Sequence, residues 1–152
     1  MFLEAARLGV PSAQHNVGFF YDVGVGTKKD TRKALQWYLR AWRAHGQTDT
    51  CINIAQLYAS KRNIRNATLW WNKAIGLGDG DAALDLAKFY LSRKSESDKK
   101  RARVLLQKVL RSRHVTGEAV ETATKLLKIE QSPATRDRRV ERQSTGSRKR
   151  SS

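Results

Sequence analysis

Ser12–Tyr21 reads SAQHNVGFFY, and the same phrase returns as DTCINIAQLY at Asp49–Tyr58 and as DAALDLAKFY at Asp81–Tyr90. Each copy has an aliphatic residue four before its tyrosine (Val17, Ile54, Leu86) and a small residue three before it (Gly18, Ala55, Ala87). The tyrosines Tyr21, Tyr58 and Tyr90 stand 37 and 32 residues apart. A second phrase follows each first one. Ala34-x-x-Trp37-Tyr38-x-x-Ala41 recurs as Ala67-x-x-Trp70-Trp71-x-x-Ala74, and more loosely as Ala102-x-x-Leu105-Leu106-x-x-Val109, at spacings of 33 and 35. Both phrases put apolar and small residues at i, i+3 or i+4, and i+7, the pattern of a helix with one buried stripe. Two such helices in a period of about 34 residues predict an all-α chain built as a helical solenoid.

The residue types fit that geometry. Antiparallel helices approach closely only where the facing side chains are small, so Gly18, Ala55 and Ala87 are placed at helix crossings. Ala34, Ala41, Ala67 and Ala74 are placed there too, with Tyr, Trp and Leu from neighbouring turns filling the space beside them. Trp37, Trp70 and Trp71 hold repeat positions and read as core, whereas Trp42 lies off the repeat and reads as a surface aromatic.

The stretch Ala13–Gly46, AQHNVGFFYDVGVGTKKDTRKALQWYLRAWRAHG, resembles the Sel-one-like repeat, a branch of the tetratricopeptide-repeat superfamily. The resemblance rests on Ala13, Val17-Gly18, Tyr21, Gly24 and Gly26, Asp30, Lys33-Ala34 and Trp37-Tyr38, with a looser close at Ala41 and Gly46. The second unit replaces the glycine loop with Ser60-Lys61-Arg62-Asn63, and the third has Arg93 to Asp98 there and no tryptophan. The resemblance implies a right-handed α-solenoid over 2–129, with units of about 13–46, 49–78 and 81–113 and a half unit at each end. Phe2–Gly9 reads as the last half of a second helix that leaves Phe2 and Leu3 partly exposed. Thr116–Ile129 reads as a closing helix with an apolar stripe at Ala119, Ala123, Leu126 and Leu127.

It also implies a binding face, because the first helix of each unit lines the concave surface of such solenoids and takes a peptide or a partner's helix. Carried over position by position, that face comprises His15, Asn16, Phe19 and Asp22, then Ile52, Asn53, Gln56 and Ala59, then Leu84, Asp85, Lys88 and Leu91. Asn16 and Asn53 occupy equivalent places. An Asn there clamps a peptide backbone or carboxylate in some tetratricopeptide proteins, but here the companion basic residues are not evident, and bridging local backbone is the alternative. Phe19 and Ile52 are the expected apolar anchors.

Thirty Lys and Arg against fourteen Asp and Glu give a net charge of +16. Residues 131–152 carry Arg136, Arg138, Arg139, Arg142, Arg148, Lys149 and Arg150 against Asp137 and Glu141, and their polar composition predicts a disordered tail. The body still holds +11, so nucleic acid, an anionic membrane surface or an acidic protein could each use the charge. The single Cys51 cannot form an internal disulfide, and neither a secretory leader nor a membrane span is read, which together point to the cytoplasm.

No constellation for catalysis is legible, and no cofactor or metal is expected. His15, His45 and His114 are scattered without ligand spacing. Gly24-Val25-Gly26 lacks the strand and the Gly-Lys-Ser/Thr of a phosphate loop and reads instead as a turn with positive φ, and Gly76-Leu77-Gly78 with Gly80 read similarly. The function expected is a scaffold that binds a protein or peptide in its groove. Nucleic-acid binding through the basic surface and tail is the alternative, against which stand the missing motifs and the absence of aromatic residues in the tail.

One packing prediction follows from the crossing positions. Ala55→Leu should overpack the interior and destabilise the fold by about 1–3 kcal/mol, read as a lowered melting temperature by circular dichroism.

Overall fold

The computed structural model describes residues 2–131, and the tail cations Arg136 to Arg150 lie outside the described residues. Among the described residues eight helices follow one another: α1 (Phe2–Arg7), α2 (Pro11–Val23), α3 (Thr31–Ala44), α4 (Thr48–Ser60), α5 (Ile64–Gly76), α6 (Gly80–Ser92), α7 (Glu96–Arg111) and α8 (Gly117–Glu130). The three antiparallel hairpins α2–α3, α4–α5 and α6–α7 make the most extensive contacts, and each second helix also packs on the next first helix. This is the all-α solenoid that the period predicted.

Side-chain caps start most of the helices. Asp30 accepts from the Lys33 amide at 3.0 Å, Asn63 from Asn66 at 3.2 Å and Ser95 from Asp98 at 3.1 Å, so each second helix begins on a capped turn. Asp79 and Thr116 do the same for α6 and α8. The Asp that follows the glycine loop is therefore a helix start, and its own amide donates to Tyr21 O at 2.8 Å, closing the hairpin.

The turns differ in how they reach the left-handed backbone that ends a first helix. In the first hairpin Gly24 and Gly26 take φ of 84° and 68°. The shorter turns place Arg62 and Lys94 there, both at φ 57°, a conformation that glycine adopts at no steric cost and that bulkier residues resist. Gly78 also has positive φ, but Gly80 does not. Gly80 opens α6 and is needed for close approach, since a Cβ there would lie 2.8 Å from Ser112 and Val115. Its amide donates to His114 O at 2.9 Å, and Asp81 accepts from both the amide and the hydroxyl of Thr116, so the α7–α8 turn is fastened to the start of α6.

One continuous core runs from Ala34 to Ala123, with a satellite cluster of Ala6, Ala13 and Val17 beneath α1. The predicted crossing residues Ala34, Ala41, Ala55, Ala67, Ala74 and Ala87 are all buried, as is Gly18. Ala119 and Ala123 of α8 close the core, and Phe2 and Leu3 are exposed at the opposite end. Trp42 departs from expectation. It is half-buried, edge-on to Trp70 at 5.5 Å and against Gly46, with Lys73 over both indoles. Its off-repeat position misled because it serves the junction between hairpins, where two helices and a turn meet.

The tightest crossing is at Gly18, where an added Cβ would lie 2.7 Å from Cδ1 of the fully buried Tyr38 ring. Gly18→Ala would gain up to about 1 kcal/mol of helix propensity. The enclosed ring cannot yield, so overpacking of about 1–3 kcal/mol outweighs that gain and the variant should melt lower than wild type.

Candidate functional site

The first helices α2, α4 and α6 lie side by side, and polar contacts between their inward-facing positions join them. His15 Nδ1 of α2 is 3.0 Å from the Thr50 hydroxyl of α4, and its Nε2 is 3.5 Å from the Asn53 amide. The imidazole also sits on the Tyr38 ring, centroids 5.3 Å apart. Tyr38 OH points to Asp22 at 3.5 Å and also meets Asn53. Burial first, then the Asp22 charge, raises the Tyr38 pKa and keeps the phenol protonated. Farther along, Gln56 of α4 hydrogen-bonds Asp85 of α6. Burial raises the Asp85 pKa, opposed by Lys88 beside it.

The residues expected to meet a partner therefore divide into two groups. His15, Asp22, Asn53 and, in part, Asp85 and Gln56 are engaged with one another across neighbouring helices. Ile52 is half-buried against the core, and Leu84 is buried at 6 % exposure, so neither faces a ligand freely. Phe19 is 45 % exposed, with its ring edge-on to Phe20 at 6.4 Å. Asn16 is half-buried with no side-chain hydrogen bond among the described residues, and Lys88 is exposed. The two equivalent asparagines thus differ: Asn53 bridges helices, and Asn16 keeps its amide available.

Cys51 is fully buried, and its thiol is pushed up to about 11 by that burial, with Lys73 opposing, so it is a packed and unreactive group. Among the described residues, no three His, Cys, Asp or Glu side chains converge as a metal site. No helix there is long and apolar enough to cross a membrane.

Residues 11–43 and 51–79 match the family model of the Sel1 repeat. The chain carries Sel1 repeats. No curated protein matches it. Among solved structures it is similar to a Sel1 repeat protein from Oxalobacter formigenes, at 28 % identity and a TM-score of 0.58, over 72 % of this chain and 46 % of that one. It is also similar to c5321, described as a protective antigen present in uropathogenic Escherichia coli strains that displays the same repeat fold, at 27 % identity and a TM-score of 0.61. That match covers 71 % of this chain and 24 % of the other, so this chain spans less than half the length of either relative.

One feature of the repeat was missed in the sequence. In the first unit Lys33 sits over the Tyr21 ring at 5.3 Å, and at the same repeat position in the third Arg101 sits over Tyr90 at 5.7 Å. The cation before the conserved Ala is thus a staple between the two helices of a hairpin. The recurring Tyr and Lys-Ala carried that signal, but eleven intervening residues separate Tyr21 from Lys33.

Burial lowers the His15 pKa below 6.5, with the Asp49 charge opposing. The unfolded chain takes up this proton near pH 6.5 and the folded chain resists it. The stability that neutral His15 contributes is therefore complete above that pH and lost as the pH falls through the folded pKa. Melting temperatures measured from pH 7.5 down to about 5 should fall more steeply for wild type than for His15→Asn. Parallel curves would place the pH dependence elsewhere.

Proposed function

We propose that the protein is a non-catalytic scaffold that binds a partner peptide or helix along the face formed by α2, α4 and α6. Sel1 repeats generally mediate protein–protein interaction, and a fold acquires its specific role only through its exposed side chains. The observation that carries the reading is Phe19. A large aromatic ring half in solvent, beside the unpaired Asn16 amide and on a face otherwise stitched by internal hydrogen bonds, is the kind of anchor that dominates an interface. Gln56 and Lys88 occupy the position equivalent to Phe19 in the next two units, so the face passes from an apolar anchor to polar and then cationic contacts. A segment with an apolar side chain at one end and a carboxylate at the other fits that order.

The rigid network of His15, Thr50, Asn53 and Tyr38 supports the same reading, because a preorganised surface loses less conformational entropy on binding. The buried thiol of Cys51 and the dispersed histidines give the face binding groups and no reactive pair.

Tagged protein should recover a defined partner from its native lysate, with nuclease present and at two salt concentrations. Phe19→Ala should weaken the purified pair by about 2 kcal/mol or more, near thirtyfold in Kd by calorimetry, with helicity unchanged. Equal affinity for wild type and Phe19→Ala would remove this face from the interface.

A further inference from the structure

The up-and-down course of the helices collects the turns within hairpins, 24–30, 61–63 and 93–95, at one edge of the solenoid. The turns between hairpins emerge at the other. The first edge carries Lys28 and Lys29, Lys61 and Arg62, then Arg93 and Lys94, one cationic pair per turn. Arg32 and Arg65 add to it from the starts of α3 and α5, whose first turns hold no acid. Nearby acids are already engaged. Asp30 caps α3, Asp98 pairs with Arg93 and Arg101, and Glu96 pairs with Lys99. Among the described residues Lys28, Lys29, Lys61, Arg62 and Lys94 form no ion pair. Lys61, Arg62, Arg93 and Lys94 follow the C-termini of α4 and α6, where cations complement the helix dipole, whereas Arg32 and Arg65 at the starts of α3 and α5 oppose it and gain nothing locally.

Aliphatic side chains stand among these cations. Val23 and Val25 are more than half exposed, and Ile64, beside Arg65, is 37 % exposed. A phosphodiester backbone offers such tips nothing to bury against, whereas the headgroup–acyl boundary of a bilayer does. The edge is a row of exposed turns, which can meet a plane without enclosing a chain. The α8 C-terminus, from which residues 131–152 continue, reaches the same edge.

We propose that this edge docks the protein peripherally on an anionic lipid surface, cations against headgroups and Val25 and Ile64 at the acyl boundary. The opposite edge lies about 20 Å away along thirteen-residue helices, beyond the roughly 8 Å over which salt screens the surface potential.

Flotation of the full chain with phosphatidylcholine vesicles, alone and with phosphatidylserine added, tests this. Binding is expected only to the anionic vesicles. Lys28→Gln/Lys61→Gln/Lys94→Gln should lower the partition coefficient about a hundredfold, near fivefold per cation. Arg7→Gln/Arg43→Gln/Arg113→Gln, which removes the same charge from the other edge, should leave it within about threefold, since that edge lies outside the screening distance. Val25→Ser/Ile64→Ser should weaken binding at constant charge. Circular dichroism checks that each variant remains helical. The proposal fails if the two charge variants behave alike, if truncation after Gln131 alone abolishes binding, or if the chain binds duplex nucleic acid while leaving anionic vesicles unbound.

Discussion

The structure depends on how closely the two helices of a hairpin can approach. At Gly18 the absence of a single Cβ lets the Tyr38 ring lie flat against the α2 backbone. At Ala55 and Ala87 a methyl group is the most that the crossing admits, and both residues are fully buried. Close crossings bring dispersion contacts along the whole helix length and exclude water from the stripe between. They also fix the height at which every other side chain meets its partner. Tyr38 is held where its hydroxyl reaches Asp22 and Asn53 and its ring supports His15. The crossing and the polar network across the first helices are thus one construction seen from two sides.

Stacking of hairpins is the second layer of the design. Trp42 and Trp70 meet edge to face across a junction, and Lys73 lies over both. At the next junction the α7–α8 turn is fastened to α6 through Gly80 and Asp81. Each hairpin alone leaves an apolar face uncovered, so neighbours must supply the missing contacts, and stability grows by nearest-neighbour terms. Helix α8 supplies that cover for α6–α7 with small Ala119 and Ala123 inward and a polar outer surface.

The division of polar residues along the first helices has a functional consequence. His15, Asn53, Gln56 and Asp85 join adjacent helices, which stiffens the face. Phe19 and Lys88 are exposed, and Asn16 is half-buried with its side chain unbonded among the described residues. On the proposed reading, a ligand would meet these unengaged side chains while their bonded neighbours hold them in register. The edge formed by the hairpin turns is distinct in character, exposed and cationic.

The sequence by itself determined the fold class, because the period, the small residues at crossings and the aromatic pairs are local and repeat with the helix. It also determined the glycine turn at Gly24 and Gly26, whose role is set by backbone conformation within a few residues. What only the tertiary structure decided lies between units. The equivalence of His15, Ile52 and Leu84 by repeat position suggested three groove residues, but one bridges helices, one rests on the core and one is buried within it. Trp42 had no repeat partner and still became part of the core junction. A repeat pattern encodes the contacts each unit makes with itself, and these recur. The contacts between units depend on which side chains happen to face each other across a gap some 35 residues wide in sequence, as His15 and Thr50 do, and no local pattern records them.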